Sequence, residues 1–118
     1  MSRNFQLRLN DILDAANAIG DYIGERNIDQ FKQDRQLIDS VLYNLLVIGE
    51  AANNIPENLQ NQYPDVDWRN IVGLRNVVSH EYFRVNLDRI WDITQNALPA
   101  FREQILTLLA SDLPEGDD

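Results

Sequence analysis

The chain of 118 residues contains no cysteine and a single histidine. The absence of cysteine excludes disulfide bonds, thiolate metal ligands and a cysteine nucleophile. With only one histidine, a histidine-based zinc site within one chain is excluded as well. The sequence also has neither a glycine-rich phosphate-binding loop nor a motif that reads DNA. We therefore expect no metal and no other cofactor.

The chain also lacks a long apolar run and an excess of positive charge. No stretch approaches the roughly 20 apolar residues of a membrane-spanning helix, and Met1 to Leu9 lacks the apolar centre of a signal peptide. We expect a cytoplasmic protein without membrane contact. The 19 acidic and 10 basic residues give a formal net charge of −9. Since nucleic-acid binding rests on neutralising phosphates, an RNA substrate would require a local positive site, a second copy of the chain or a helping partner.

Apolar residues recur at helical spacing along most of the chain. Steps of three and four from Phe5 to Ile23 predict a first helix, and a wider apolar stripe predicts a second helix over 35–53. A third helix is expected from Trp68 to about His80. A fourth should begin after Asn86, its N-cap, and should be kinked or split at Pro99.

Four main helices with short joins predict an all-α, up-and-down bundle of four to five helices. We expect one domain over residues 1–110 and an acidic, flexible tail over 111–118. The stripe of the second helix is wider than half its surface. That helix should therefore be covered on more than one side, at the centre of the bundle or at a subunit interface. On a purely structural interpretation, Glu50, near its end, is a partly buried acid that is paired with an arginine.

The segment 75–82 combines side chains that are suited to chemistry. His80 is a histidine, a residue type that can take or give a proton near neutral pH. Arg75 carries a permanent charge that suits a phosphate or a developing oxyanion. Together they supply two parts of metal-independent RNA cleavage, in which the base accepts the proton of a ribose 2′-hydroxyl and the cation stabilises the phosphorus centre. Because RNA supplies its own nucleophile, DNA would not react.

Helical spacing does not bring this pair together within one chain. Each residue of an α-helix turns about 100°, so Arg75 and His80 point about 140° apart. Ser79 and Tyr82 would share the face of Arg75, whereas Asn76 shares the face of His80. Either the helix loosens near His80, or the pair is assembled from two copies of the chain across a two-fold axis.

Each of these residues also has a purely structural interpretation. A lone histidine near a helix end is often a cap or a packed surface residue, and Arg75 would then be a surface cation. Ser79 would be an ordinary helical residue and Tyr82 a core aromatic. A chain of this kind would be a helical dimerisation domain without activity.

The order Arg75, four residues, His80, one residue, Tyr82 resembles the RxxxxHxY motif of the HEPN superfamily. More closely, the chain resembles the HepT family of toxins, and the likeness extends from about Phe5 to Leu109. Two further stretches carry it, VIGEAA over 47–52 and WRNIVGLRN over 68–76. The resemblance implies a helical bundle that forms a homodimer, and a metal-independent endoribonuclease whose site lies in the dimer cleft.

The resemblance also assigns roles to single positions. Arg75 and His80 match the catalytic pair, and Asn76 occupies the polar position after the arginine. Tyr82 matches the tyrosine to which a partner antitoxin, a minimal nucleotidyltransferase, transfers AMP to silence the toxin. Glu50 matches the acidic residue of the family's second-helix motif.

Two hypotheses about function follow, one of an enzyme and one of a binding module. In the first, the chain is the RNase toxin of a HEPN/MNT toxin–antitoxin system, with Asn76, Ser79 and Glu50 as supporting residues. In the alternative, the chain is a non-catalytic binding module that presents substrate or nucleotide to a nucleotidyltransferase. The acidic net charge of −9 favours this alternative. It predicts a stable complex with the partner and no RNA cleavage.

Overall fold

Eight helical segments and no strand make up the part of the chain that a computed structural model describes, residues 2–81 and 86–111, with side chains over 4–79 and 86–111. The segments are α1 (Ser2–Ile23), α2 (Ile28–Gln33), α3 (Arg35–Asn53), α4 (Glu57–Asn61), α5 (Trp68–Glu81), α6 (Leu87–Asp92), a π-helical turn (Ile93–Ala97) and α7 (Leu98–Ala110). The last three follow one another without a break and form one helical stretch. Together with α1, α3 and α5 this stretch makes four main helices, and α2 and α4 are short helices of 6 and 5 residues between them. The predicted all-α bundle is confirmed, whereas most of the predicted acidic tail lies outside the described residues.

Helix α3 lies at the centre of the bundle. It packs against α1 on one side and against α5 on the other, and α7 covers another part of α1. Leu45, Ile48 and Ala52 of α3 are fully buried. Each large apolar side chain buried in this way contributes roughly 1.5–3 kcal/mol. The width of the α3 stripe is therefore explained by contacts within one chain.

Local signals set the helix ends. Gly24 ends α1 with a φ of 55°, a left-handed conformation that only glycine adopts readily. The Asp34 side chain accepts the N–H of Leu37 and starts α3. The Asn86 side chain accepts the N–H of Arg89 at 3.1 Å, which confirms Asn86 as the N-cap of the last helical stretch.

The predicted break near Pro99 takes the form of the π-helical turn. Proline has no backbone N–H, so an α-helical hydrogen bond to the carbonyl four residues earlier cannot form. The N–H of Leu98 instead donates to the carbonyl of Ile93, five residues earlier. The helix accommodates Pro99 by widening one turn and then continues as α7. Among the described helices, none has both the length and the apolar character needed to cross a membrane.

Candidate functional site

Helix α5 carries the segment that the sequence singled out. Ile71, Leu74 and Val78 are buried on the side that faces the bundle. Asn76 and Ser79 are exposed, and Arg75 lies at the border between the two sides. The helix thus anchors the segment through its apolar stripe and presents polar side chains along its outer surface.

Arg75 and Glu50 form an ion pair between α5 and α3. The distance from Nε of Arg75 to Oε1 of Glu50 is 2.8 Å, and the two side chains are 37% and 43% exposed. No other described residue pairs with this guanidinium. The expected pairing of Glu50 with an arginine is confirmed, and the partner is the motif arginine itself. Since exposed pairs contribute only about 0–1 kcal/mol, the contact adds little to the stability of the fold.

A close approach of the two helices at Gly49 makes this pair possible. A Cβ atom added at Gly49 would lie 2.6 Å from the backbone nitrogen of Arg75 and 3.0 Å from its Cβ. A side chain at position 49 would therefore separate α3 from α5. This role of Gly49 was not predicted from the sequence. A glycine inside a helix costs about 1 kcal/mol relative to alanine, however, and often has a packing reason.

The supporting residues lie in different surroundings. The Ser79 hydroxyl donates to the backbone carbonyl of Arg75 at 2.9 Å, so it is satisfied within its own helix. Asn76 is exposed beside Arg75. Tyr82 and the side chain of His80 lie outside the described residues. Of the predicted supporting residues, Glu50 thus contacts the Arg75 side chain, and Ser79 contacts the Arg75 backbone.

The backbone of α5 stays helical from Trp68 through Glu81. The helix therefore does not loosen before position 80, and positions 75 and 80 stand about 140° apart around its axis. This continuity favours the assembly of the Arg75–His80 pair from two copies of the chain, which stays a prediction. Among the side chains that the structure describes, those of 4–79 and 86–111, no group of three or more histidine, cysteine, aspartate or glutamate residues is placed to hold a metal ion.

Comparison with known proteins places the chain in a family. The family described as ribonuclease HepT-like matches residues 12–108. A Methanocaldococcus jannaschii protein provisionally named an RNase is 37% identical over 110 residues, which cover 93% of this chain and 89% of that protein. The protein named "Probable ribonuclease HepT" of Thermococcus cleftensis is 28% identical over 102 residues, 86% of this chain and 93% of its own length.

Another relative is also named as a nuclease. The protein named mRNA nuclease HepT of Shewanella oneidensis is 33% identical over 100 residues, with 64% of this chain and 75% of that protein covered. No solved structure matches the chain. The family match extends over most of the bundle, including α3 and the helical part of the motif, and so confirms both the predicted resemblance and the predicted enzyme class. The chain belongs to the ribonuclease HepT-like family.

Proposed function

We propose that this chain is a metal-independent endoribonuclease and the toxin of a HEPN/MNT toxin–antitoxin system in the cytoplasm. One observation carries the proposal. In a member of a ribonuclease family, the motif arginine Arg75 is half exposed and is held by Glu50 at 2.8 Å, on a helix that continues through His80. A fixed, accessible cation of this kind suits a phosphate that gains negative charge during a reaction.

The reaction proposed for this site is an internal transesterification of RNA. His80 accepts the proton of a ribose 2′-hydroxyl, and the 2′-oxygen attacks the adjacent phosphorus. The bond from phosphorus to the 5′-oxygen breaks, and that oxygen takes up a proton. The products are a 2′,3′-cyclic phosphate and a 5′-hydroxyl end. The Arg75 guanidinium stabilises the additional charge on the non-bridging phosphate oxygens.

We place this chemistry in the cleft of a homodimer. A two-fold axis beside α5 would set Arg75 of one chain near His80 of the other and would gather two arginines in one cleft. The concentrated positive charge would offset the net charge of −9 at the place where RNA binds. Asn76 and Ser79 would line the same part of α5 as supporting residues.

Silencing is proposed to act at Tyr82. A minimal nucleotidyltransferase would transfer AMP from ATP to the phenolic oxygen of Tyr82, with pyrophosphate as the leaving group. The added phosphate brings negative charge and bulk next to the motif. It would pair with Arg75 and exclude the phosphate of RNA.

Loss of His80 tests the mechanism. Purified wild-type protein should cut RNA in the presence of a metal chelator and leave 2′,3′-cyclic phosphate ends. His80→Ala should lower the rate by about 100-fold or more, because it removes the general base. Glu25→Ala, a change in an exposed acid of the turn that follows α1, is the control and should cut at the wild-type rate. Undiminished cutting by His80→Ala, or a requirement for added metal, would contradict the mechanism.

Modification of Tyr82 is tested by mass. Incubation with the partner nucleotidyltransferase and ATP should add the mass of one or more AMP units to the chain and stop RNA cleavage. Tyr82→Phe should prevent the mass gain, because it removes the accepting oxygen. An unchanged mass in a mixture where the transferase is shown to be active would exclude this route of silencing.

The second candidate is the non-catalytic binding module, which the net charge of −9 favours. It predicts a stable complex with the nucleotidyltransferase and no cleavage of RNA at any protein concentration. Size-exclusion chromatography of the mixture, together with the cleavage assay, separates the two candidates. A stable complex without any cleavage by the unmodified chain would favour the binding module.

A further inference from the structure

A broad groove lies where the end of α3, helix α4 and the start of α5 meet. Its volume is about 840 Å³, which is within the roughly 300–1,000 Å³ of sites for small ligands. Four amide side chains line it, those of Asn53, Asn54, Gln60 and Asn61. Groups that both donate and accept hydrogen bonds in this number suit the edges of nucleobases.

Two of the amides are already used by the backbone. The Gln60 amide donates to the carbonyls of Ala52 and Ile55, and the Asn54 amide donates to the carbonyl of Glu50. The side chains of Asn53 and Asn61 are exposed and make no hydrogen bond with a described residue. These two amides are therefore available to a ligand.

Arg69 is the cation of this groove. It is exposed, and it forms no ion pair or hydrogen bond with any described residue. Lys32 and Arg35, in contrast, each pair with an aspartate. The groove also contains the acids Glu57 and Asp67, and the Asp67 carboxylate accepts the Asn70 amide at 2.6 Å. A phosphate would therefore be held at Arg69, on the α5 side of the groove.

The position of Arg69 on α5 relates the groove to the candidate site. On an ideal helix, Asn76 lies about 20° from Arg69 around the axis, and position 80 lies about 20° away in the other direction. Arg69, Asn76 and position 80 thus follow one stripe along the helix. Eleven residues at about 1.5 Å each put Arg69 roughly 16 Å from position 80 along the axis. A stacked strand that advances about 3.4 Å per nucleotide covers this length in about five nucleotides.

We propose that this groove, called the Arg69 groove below, binds the RNA strand beside the scissile phosphate. Arg69 pairs with a backbone phosphate a few nucleotides from the cut, and Asn53 and Asn61 face the bases. The inference rests on the proposed ribonuclease function. It gives an acidic chain a local positive contact for RNA outside the catalytic pair.

The test measures binding of single-stranded RNA of about 12 nucleotides. The RNA is 2′-O-methylated, so it cannot supply the nucleophile and is not cut. Arg69→Ala should weaken binding by about tenfold and should lower the slope of log K against log salt by about one, as expected for a lost phosphate contact. Fluorescence anisotropy over a series of salt concentrations gives both values.

Arg35→Ala is the matched control. It removes the same charge from an exposed arginine at the first residue of α3, about 27 Å along that helix from Asn53. It should weaken RNA binding less than twofold and leave the salt slope unchanged. Equal RNA affinity of the Arg69→Ala and Arg35→Ala variants would overturn the proposal. This holds whether both variants bind like the wild type or both are weakened equally, as expected from the change in net charge alone.

Cleavage of unmodified RNA by the wild-type chain separates the groove from the proposed function. If RNA is cut but Arg69→Ala binds like the control, the Arg69 groove is wrong and the ribonuclease stands. If RNA binds through Arg69 but is never cut, the groove stands and the ribonuclease function is wrong. No binding of RNA by the wild-type chain would overturn both.

Discussion

The guanidinium of Arg75 lies beside the carboxylate of Glu50, and in the proposed reaction it would also bind a phosphate. A long, flexible arginine side chain loses up to about 2 kcal/mol of conformational freedom when it is fixed. Glu50 fixes it in advance by the 2.8 Å contact. Since both side chains are more than a third exposed, the pair adds only about 0–1 kcal/mol to stability. Its contribution should therefore appear in the reaction rather than in unfolding.

Replacement of Glu50 tests whether the ion pair contributes to the reaction and not to the stability of the fold. Glu50→Ala should lower kcat by about tenfold, equivalent to about 1.4 kcal/mol, because Arg75 is no longer held before the substrate arrives. Glu50→Gln keeps an oxygen beside Arg75 and should recover most of the rate. The free energy of unfolding, measured with urea, should change by less than about 1 kcal/mol in both variants.

The control for this experiment is Glu103→Ala. Glu103 also pairs with an arginine, Arg102, at 3.1 Å, and it is exposed. Its removal should leave kcat at the wild-type value. If Glu50→Ala and Glu103→Ala turn RNA over equally fast, Glu50 does not position Arg75.

At the scale of the elements, periodicity and capping were sufficient to locate the main helices. The predicted second helix over 35–53 coincides with α3, because a broad apolar stripe marks it and ends shortly before Pro56. The Asn86 cap was found in the same way. The π-helical turn was not predicted in form, because Pro99 indicates only that a hydrogen bond is lost and not how the helix replaces it.

The pairing across elements could not be predicted in the same way. The sequence marks Glu50 as an acid that needs an arginine, but it does not say which arginine. That choice depends on where α3 crosses α5, and the crossing is set by the missing side chain at Gly49. Periodicity describes which side of each helix is buried and contains no information on which turns of two helices meet.

Replacement of Gly49 tests whether the missing side chain at this position sets the crossing of α3 and α5. Gly49→Ala should lower the free energy of unfolding by about 1–3 kcal/mol, because the new Cβ meets the backbone of Arg75 and the helices must separate. Alanine normally stabilises the interior of a helix by about 1 kcal/mol relative to glycine, so a net loss at this position would mean that the steric clash outweighs that gain. Separation of the helices should also lower kcat, since it moves Arg75 away from Glu50.

Gly20→Ala in α1 is the matched control. A Cβ at Gly20 would meet no atom within 4 Å. This variant should therefore be as stable as the wild type or up to about 1 kcal/mol more stable. Urea unfolding gives the free energy of unfolding of both variants. Equal values for Gly49→Ala and Gly20→Ala would show that the close approach of α3 and α5 does not contribute to stability.

At the scale of the whole molecule, two properties of one chain point to a second copy. The net charge of −9 opposes RNA binding by a monomer. Helix α5 is continuous from Trp68 through Glu81, so positions 75 and 80 face directions about 140° apart. In the proposed dimer, a two-fold axis beside α5 would meet both conditions, because it would gather arginines in one cleft and would let Arg75 of one chain act with His80 of the other.

Mixing of two inactive variants tests this arrangement. Arg75→Ala and His80→Ala homodimers should each be inactive. In a mixed dimer, one of the two sites contains the intact Arg75 of one chain and the intact His80 of the other. Random exchange makes half of the dimers mixed, so about a quarter of the wild-type rate should return. As the control, Arg75→Ala mixed with the double variant that carries both changes should stay inactive. Mixed dimers that are demonstrated by mass but do not cut RNA would show that the Arg75–His80 pair is not shared between chains.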